Sequence, residues 1–80
     1  MPKFFFHLHE GGKLRRDTEG LDLPGKREAV EEARAAAYDI IMDRVVSRKW
    51  IEDDRFEIAD EAGNPVCTIP VRSILAGSPK

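Results

Sequence analysis

One stretch of the chain, residues 26–48, contains neither glycine nor proline and is rich in alanine, glutamate and arginine. At 100° per residue, its acidic residues cluster on one side and most of its apolar residues on the other. The apolar side consists of Val30, Ala33, Ala37, Ile40, Ile41 and Val45, and the acidic side of Glu28, Glu32, Asp39 and Asp43. This pattern predicts an amphipathic helix of about 22 residues, which must bury its apolar side against another layer.

Apolar and polar residues alternate with a period of two on both sides of this helix. Residues 3–9 form an aromatic-rich strand that ends near Gly11 and Gly12, and residues 13–17 return as a short charged strand. Residues 55–60 and 66–71 form a second pair, joined by a turn that contains Asp60 and Gly63. Strands joined by tight glycine turns are typical of β-hairpins. We therefore predict an α+β fold with the order β-β-α-β-β and a four-stranded antiparallel sheet.

We predict the strand order 2-1-3-4, because it makes every neighbour antiparallel and leaves the charged second strand and the proline-bearing fourth strand at the edges. One face of this sheet lies under the single helix and the other remains open. The predicted helix-facing set is Phe4, Phe6, Leu8, Leu14, Phe56, Ile58, Cys67, Ile69 and Val71. The predicted open face consists of Phe5, His7, His9, Arg15, Arg55, Glu57, Val66 and Thr68, with Trp50 nearby.

The length and the cysteine count limit the class of protein. The 80 residues suit one domain, 1–80, in which we expect residues 77–80 to form a frayed tail. No apolar run approaches the length of a membrane span, so we expect no membrane association. The single cysteine, Cys67, forms no intramolecular disulfide, which favours the cytoplasm.

Candidate groups for catalysis or metal binding are few. His7 and His9 share one side of the first strand, and Glu57 could reach them from a neighbouring strand, which makes the two histidines weak candidates for a metal site. Cys67 fits a packed core thiol better than a nucleophile. We expect no catalytic residue, no cofactor and no enzymatic activity.

The open face is the predicted interaction surface. We expect Phe5, His7, His9, Glu57 and Val66 to contact a protein partner or a second copy of the chain, because apolar groups on an uncovered face mark contact surfaces. Ala35, Met42 and Val46 add apolar groups on the outer side of the helix. The principal functional prediction is a non-catalytic binding or regulatory module, with a homodimer as one form that it could take.

Nucleic acid is the less favoured partner. Arg15 and Arg16 with Lys13, and Arg44 with Arg48 and Lys49, form two basic groups, but the chain carries a formal net charge of −2. Phosphate binding depends on positive charge, so we expect nucleic-acid binding only as an alternative function.

The order and spacing of several short motifs resemble an uncharacterised bacterial family of small proteins with a domain of unknown function. These motifs are Phe5-Phe6-His7-Leu8, Asp17 to Gly20, Leu23-Pro24, the Ala29/Ala33/Ala37 helix and Asp60-Glu61-Ala62-Gly63. The resemblance implies a bacterial cytoplasmic domain and assigns no activity or site residue.

A second resemblance is to HicB-type antitoxins. Leu23-Pro24-Gly25 followed by the glutamate- and alanine-rich start of the helix is similar to their turn and helix. Those proteins usually carry a further strand before the helix and a C-terminal DNA-binding segment, which this sequence lacks. The resemblance implies a nucleic-acid-linked regulator as the alternative function.

Overall fold

The computed structural model describes residues 1–49 and 53–74. Five strands and one long helix follow one another in the order β1, β2, β3, α1, β4, β5, and a short 3-10 helix ends the described chain. Their bounds are β1 Lys3–Glu10, β2 Lys13–Arg15, β3 Leu21–Asp22, α1 Lys26–Ser47, β4 Arg55–Ala59, β5 Pro65–Pro70 and the 3-10 helix Val71–Ile74. The α+β class is confirmed. The predicted contribution of Trp50 and the predicted tail at 77–80 lie outside the described residues.

All strand pairs are antiparallel, and the sheet runs β2-β1-β4-β5 with β3 also paired to β1. The four predicted strands keep their predicted neighbours. The predicted count of four strands is wrong, because the two-residue strand β3 pairs with Lys3 and Phe4 at the start of β1. A strand this short leaves almost no alternation in the sequence.

Alanines bring the helix close to the sheet. Ala29, Ala33 and Ala37 are fully buried at intervals of four residues, and Ile41 continues the row. They pack with Phe4, Phe56 and Ile58 from the even-numbered face of β1 and β4, and with Val71. Because α1 lies over β4, β5 and the 3-10 helix, β1 is covered only in part. Phe6 and Leu8 contact the core while they remain partly exposed.

Three predicted side-chain positions are wrong, two of them predicted core residues and one a predicted open-face residue. Val45 is 63% exposed, although the helical period places it near the buried row. Leu14 lies opposite His9 on the open face, and Arg15 lies opposite Leu8 on the helix side. The two-residue turn pairs Glu10 with Lys13, so an even-numbered residue of β1 always faces an odd-numbered residue of β2.

The C-terminal part of the core also differs from the prediction. Val71 is fully buried as predicted, but it belongs to the 3-10 helix rather than to a strand. Cys67 and Ile69 pack against the core from β5, as predicted.

A buried ion cluster fastens the end of α1 to the hairpin. The Arg44 guanidinium lies 2.6 Å from Asp54 Oδ2 and 2.5 Å from Glu10 Oε2. Asp54 is 3% exposed; its other carboxylate oxygen accepts the Gly11 N–H, and its backbone carbonyl accepts the Val71 N–H. Hydrogen bonding to Arg44 lowers the pKa of the Glu10 carboxyl, although burial opposes this. One arginine thus joins the helix, the β1–β2 turn and the start of β4.

Replacement of Arg44 tests this cluster. Arg44→Met should destabilise the fold by about 3–5 kcal/mol, because it leaves the Asp54 carboxylate buried without its cation. The added change Asp54→Asn should recover part of the loss, since it removes the uncompensated charge. Urea unfolding of both variants measures this difference. Equal stability of the wild type and Arg44→Met would contradict the described ion cluster.

Candidate interaction site on the open sheet face

The odd-numbered side chains of β1 form the centre of the face that α1 leaves uncovered. His7 lies opposite Glu57, and Phe5 lies opposite Ala59 on β4. The Phe5 and His7 rings are stacked, with centroids 6.5 Å apart. The predicted division of β1 between a helix side and an open side is therefore confirmed, and Phe5, His7, His9 and Glu57 lie together.

The loop between β2 and β3 fills a gap along the edge of β1. β2 pairs with residues 8–10 of β1 and β3 pairs with Lys3 and Phe4, so the middle of this edge lacks a paired strand. Asp17 Oδ2 accepts the Phe6 N–H at 3.0 Å, while Oδ1 accepts the N–H groups of Glu19 and Gly20 at 3.1 Å each. One carboxylate thus satisfies the strand backbone and closes its own loop.

The electrostatics of Asp17 reflect these contacts. Burial raises the pKa of the Asp17 carboxyl, but the N–H donors of Phe6, Gly20 and Glu19 together outweigh burial, and the pKa lies below its ordinary value. The charged form is therefore the one that the fold stabilises.

Gly20 completes the same loop. Its φ is +74°, and a Cβ there would lie 2.8 Å from the Lys3 side chain and 3.0 Å from the Phe5 ring. Glycine therefore meets both the left-handed backbone and the close approach to the open face.

The loop also orients His7. The Asp17 backbone N–H donates to His7 Nδ1 at 3.1 Å. Because a backbone N–H only donates, Nδ1 must lack a proton, and neutral His7 carries its proton on Nε2. The ring therefore offers one N–H donor to a bound group.

A second pair lies beside His7. His9 Nε2 is 3.0 Å from Glu57 Oε1, and this hydrogen bond lowers the pKa of the Glu57 carboxyl. Glu57 is thus held against β1 as a carboxylate.

A shallow depression opens next to these groups. It is lined by His7, Arg16, Glu57, Ala59, Gly63 and Pro65. Arg16 forms no ion pair with any residue in the described ranges 1–49 and 53–74. The depression therefore combines the Arg16 cation and the His7 ring with apolar walls from Ala59 and Pro65.

The turn beside the depression has the predicted chemistry. Asp60 Oδ1 accepts the N–H groups of Ala62 and Asn64, and Gly63 has a φ of +87°. This turn holds Gly63 and Pro65 in the wall of the site.

Val66 is the exception among the five predicted contact residues. A register irregularity lies between Ile58 and Ala59, so that Ala59 pairs with Pro65 instead of Val66. Val66 packs against the hydrophobic core. Its prediction as an open-face residue is wrong, because regular alternation does not anticipate the bulge.

Arg16, Asp17 and Gly20 belong to the site, although the sequence analysis did not include them in it. The signal available in the sequence was the aspartate three residues before a glycine, which predicts a loop closed by the carboxylate. The contacts of Asp17 with Phe6 and His7 depend on the pairing of β2 and β3, which the sequence pattern does not specify.

The alternative sites have different surroundings. Within the described part of the chain, no group of three or more His, Cys, Asp and Glu side chains is placed to hold a metal ion. His7 and His9 use Nδ1 and Nε2, respectively, in the contacts above. No helix in the described ranges is long and apolar enough to span a membrane.

The two basic groups are partly occupied by acidic partners. Arg15 is 3.1 Å from Glu10 Oε1, and Arg44 is held by Glu10 and Asp54. Carboxylates therefore lie beside Arg15 and Arg44, two of the arginines on which the nucleic-acid alternative was based.

The family model named "Domain of unknown function (DUF6894)" matches residues 3–72. The chain belongs to this family, which covers every strand and the helix. Searches of curated proteins and of solved structures found no match.

Substitution of Asp17 tests the edge of β1. Asp17→Ala should destabilise the fold by about 2–3 kcal/mol, because three backbone N–H groups lose their acceptor. Asp22→Ala, which removes only the exposed 3.5 Å pair with Lys3, is the matched control and should cost less than about 0.5 kcal/mol. Urea unfolding measures both; similar losses would contradict the assigned role of Asp17.

The same carboxylate should contribute an acid-sensitive part of stability. Its folded pKa lies below the ordinary value of 3.8, so its stabilisation is complete above that value and is lost as the pH falls through the folded pKa. The stability difference between the wild type and Asp17→Asn should therefore shrink below about pH 4. A difference that stays constant from pH 6 to about pH 2 would contradict this account.

The tautomer of His7 is directly measurable. Long-range ¹H–¹⁵N NMR at neutral pH should show an unprotonated Nδ1 and a protonated Nε2. The Asp17 amide signal should shift in His7→Ala, because that N–H then loses its acceptor. The amide should also exchange faster in His7→Ala than in the wild type. A neutral His7 with its proton on Nδ1 would rule out the described hydrogen bond.

Proposed function

We propose that the protein is a non-catalytic binding module that recognises an acidic segment of another protein through the open face of its sheet. The observation that carries this proposal is the juxtaposition of Arg16 and the His7 ring in one depression on that face. Both side chains donate hydrogen bonds, and a carboxylate accepts two.

Preorganisation supports the proposal. The Asp17 N–H holds the His7 ring on one side, and Phe5 stacks on it at a centroid distance of 6.5 Å. Side chains that are already ordered lose less conformational entropy when a partner binds. A surface this shallow gains affinity mainly from such ordering.

The charges of the face support an acidic partner and its orientation. The Glu57 carboxylate is engaged by the His9 ring, whereas the Arg16 guanidinium forms no ion pair with any residue that the structure describes. A carboxylate beside Arg16 therefore gains a favourable ion pair, and Glu57 repels it from the other half of the depression.

The apolar parts of the face would contribute contact area. Phe5 is half-buried beside Gly20, and Leu14 on β2 is 41% exposed on the same face. An acidic residue flanked by an apolar one fits this arrangement. The free thiol of Cys67 supports a reducing compartment such as the bacterial cytoplasm as the place of action.

A peptide selection tests the proposal. The full chain would be used to select binders from a random peptide library displayed on phage, and the enriched peptides would be measured by isothermal titration calorimetry. We expect enriched peptides to share an Asp or Glu, and Arg16→Glu to weaken their binding at least tenfold. The matched charge reversal Lys26→Glu, at the exposed start of α1, should leave binding unchanged.

Chemical shifts locate the bound peptide. Titration of the ¹⁵N-labelled protein should move the signals of His7, Arg16 and Phe5 and leave those of Tyr38 and Met42 in place. The absence of enriched acidic peptides, or binding that survives Arg16→Glu, would overturn the proposal.

A further inference from the structure

The outer side of α1 carries an exposed apolar row, which Ile74 borders beside Ala35 and Tyr38. Tyr38 is 55% exposed, Met42 45%, Val45 63% and Val46 79%, and Ala35 is exposed one turn before them. Ala35, Tyr38, Met42 and Val45 are spaced alternately by three and four residues. This is the spacing with which one helix packs against another. We call these four residues and Val46 the outer stripe.

The two borders of the outer stripe carry opposite charges. At 100° per residue, Arg27 and Arg34 lie along one border of the stripe. The other border is acidic and consists of Glu28, Glu32, Asp39 and Asp43. The exposed Glu32, Asp39 and Asp43 are in no ion pair with any residue that the structure describes. A surface with one basic and one acidic border is complementary to itself.

We propose that the outer stripe binds a second copy of the chain, with the two helices parallel. A two-fold axis that runs along the helices places the basic border of one copy against the acidic border of the other. Arg34 of one copy then lies opposite Asp39 of the second, and Arg27 lies opposite Glu32. Such flanking pairs set partner choice and orientation in paired helices.

The charges exclude the antiparallel arrangement. An axis perpendicular to the helices brings like borders together, so that Asp39 meets Asp39 of the second copy. Like charges in these positions destabilise a helix pair. The orientation is therefore a specific consequence of the proposal, and it is independent of the open sheet face on the opposite side of the molecule.

The stripe is short, so association should be weak. Glu31 precedes it on the same side of the helix and faces its own copy in a parallel pair, and α1 ends at Ser47, directly after the stripe. The apolar contact is thus confined to about three helical turns. We expect dissociation constants in the micromolar to millimolar range, below the stability of an obligate dimer.

Sedimentation equilibrium of the full chain from about 10 μM to about 1 mM tests the association by mass action. The average mass should rise from the 9.0 kDa of one chain towards twice that value. Arg34→Glu and Asp39→Arg should each weaken association about tenfold, because each places like charges across both borders. The double variant should restore it, since it exchanges the two signs. Circular dichroism verifies that each variant is folded.

Disulfide trapping tests the orientation. In a Cys67→Ser background, Ala35→Cys should form a symmetric cross-linked dimer in a glutathione buffer, because equivalent residues meet in a parallel pair. Asp43→Cys, on the acidic border, is the matched exposed control and should remain monomeric. Cross-linking of Ala35→Cys with Val45→Cys in preference to itself would indicate the antiparallel pair and overturn the proposal.

Two further outcomes would also overturn it. One is a full chain that stays monomeric at about 1 mM and low salt. The other is a monomer in which nuclear Overhauser contacts connect residues 75–80 to Tyr38 or Met42, since the stripe then has an occupant from its own chain.

Discussion

The close contact between the alanines of α1 and the sheet determines which surfaces this small protein can use. Ala29, Ala33 and Ala37 bury without side-chain bulk, so the helix lies directly over β4 and β5. A single helix covers only part of one face, which leaves β1 with a half-covered side and an open side. Phe5, His7, His9 and Glu57 lie together on that open side. The outer stripe lies on the opposite surface of the same helix, so the two proposed surfaces face away from each other.

Asp17 connects the backbone of the sheet to the chemistry of the open face. Its carboxylate takes the place of strand partners along the edge of β1, and its own N–H determines the tautomer of His7. Asp17 therefore supports β1 with its side chain and orients the His7 ring with its backbone N–H. Changes in this loop would therefore alter the orientation of His7 on the open face as well as the stability of the strand. The ion cluster around Arg44 fixes the end of β1 at Glu10, so β1 is held both in its middle and at this end.

The sequence predicted what depends on long, regular periods and missed what depends on register. The helix and four of the strands follow from hydrophobic periodicity, as do Phe4, Phe56 and Ile58 in the core. The predicted faces of Leu14 and Arg15 are wrong because the two-residue turn pairs Glu10 with Lys13. This pairing places odd-numbered residues of β2 on the same face as even-numbered residues of β1. The bulge beside Val66 depends on the register between β4 and β5, and the ion pairs of Arg44 depend on how α1 packs against the hairpin and the start of β4. Hydrophobic alternation encodes neither, and the grouping of Arg16 with His7 likewise depends on how β2 pairs with β1.

The short and interrupted outer strands have a consequence for how this protein meets others. At one border of the sheet lie the three residues of β2 and the two residues of β3, with the Asp17 carboxylate between the two strands. At the other border lies β5, which begins and ends with proline. Neither border offers an unbroken row of free amide and carbonyl groups, so neither is a good template for strand addition. Both borders of the sheet therefore disfavour growth into fibrils by edge-to-edge stacking.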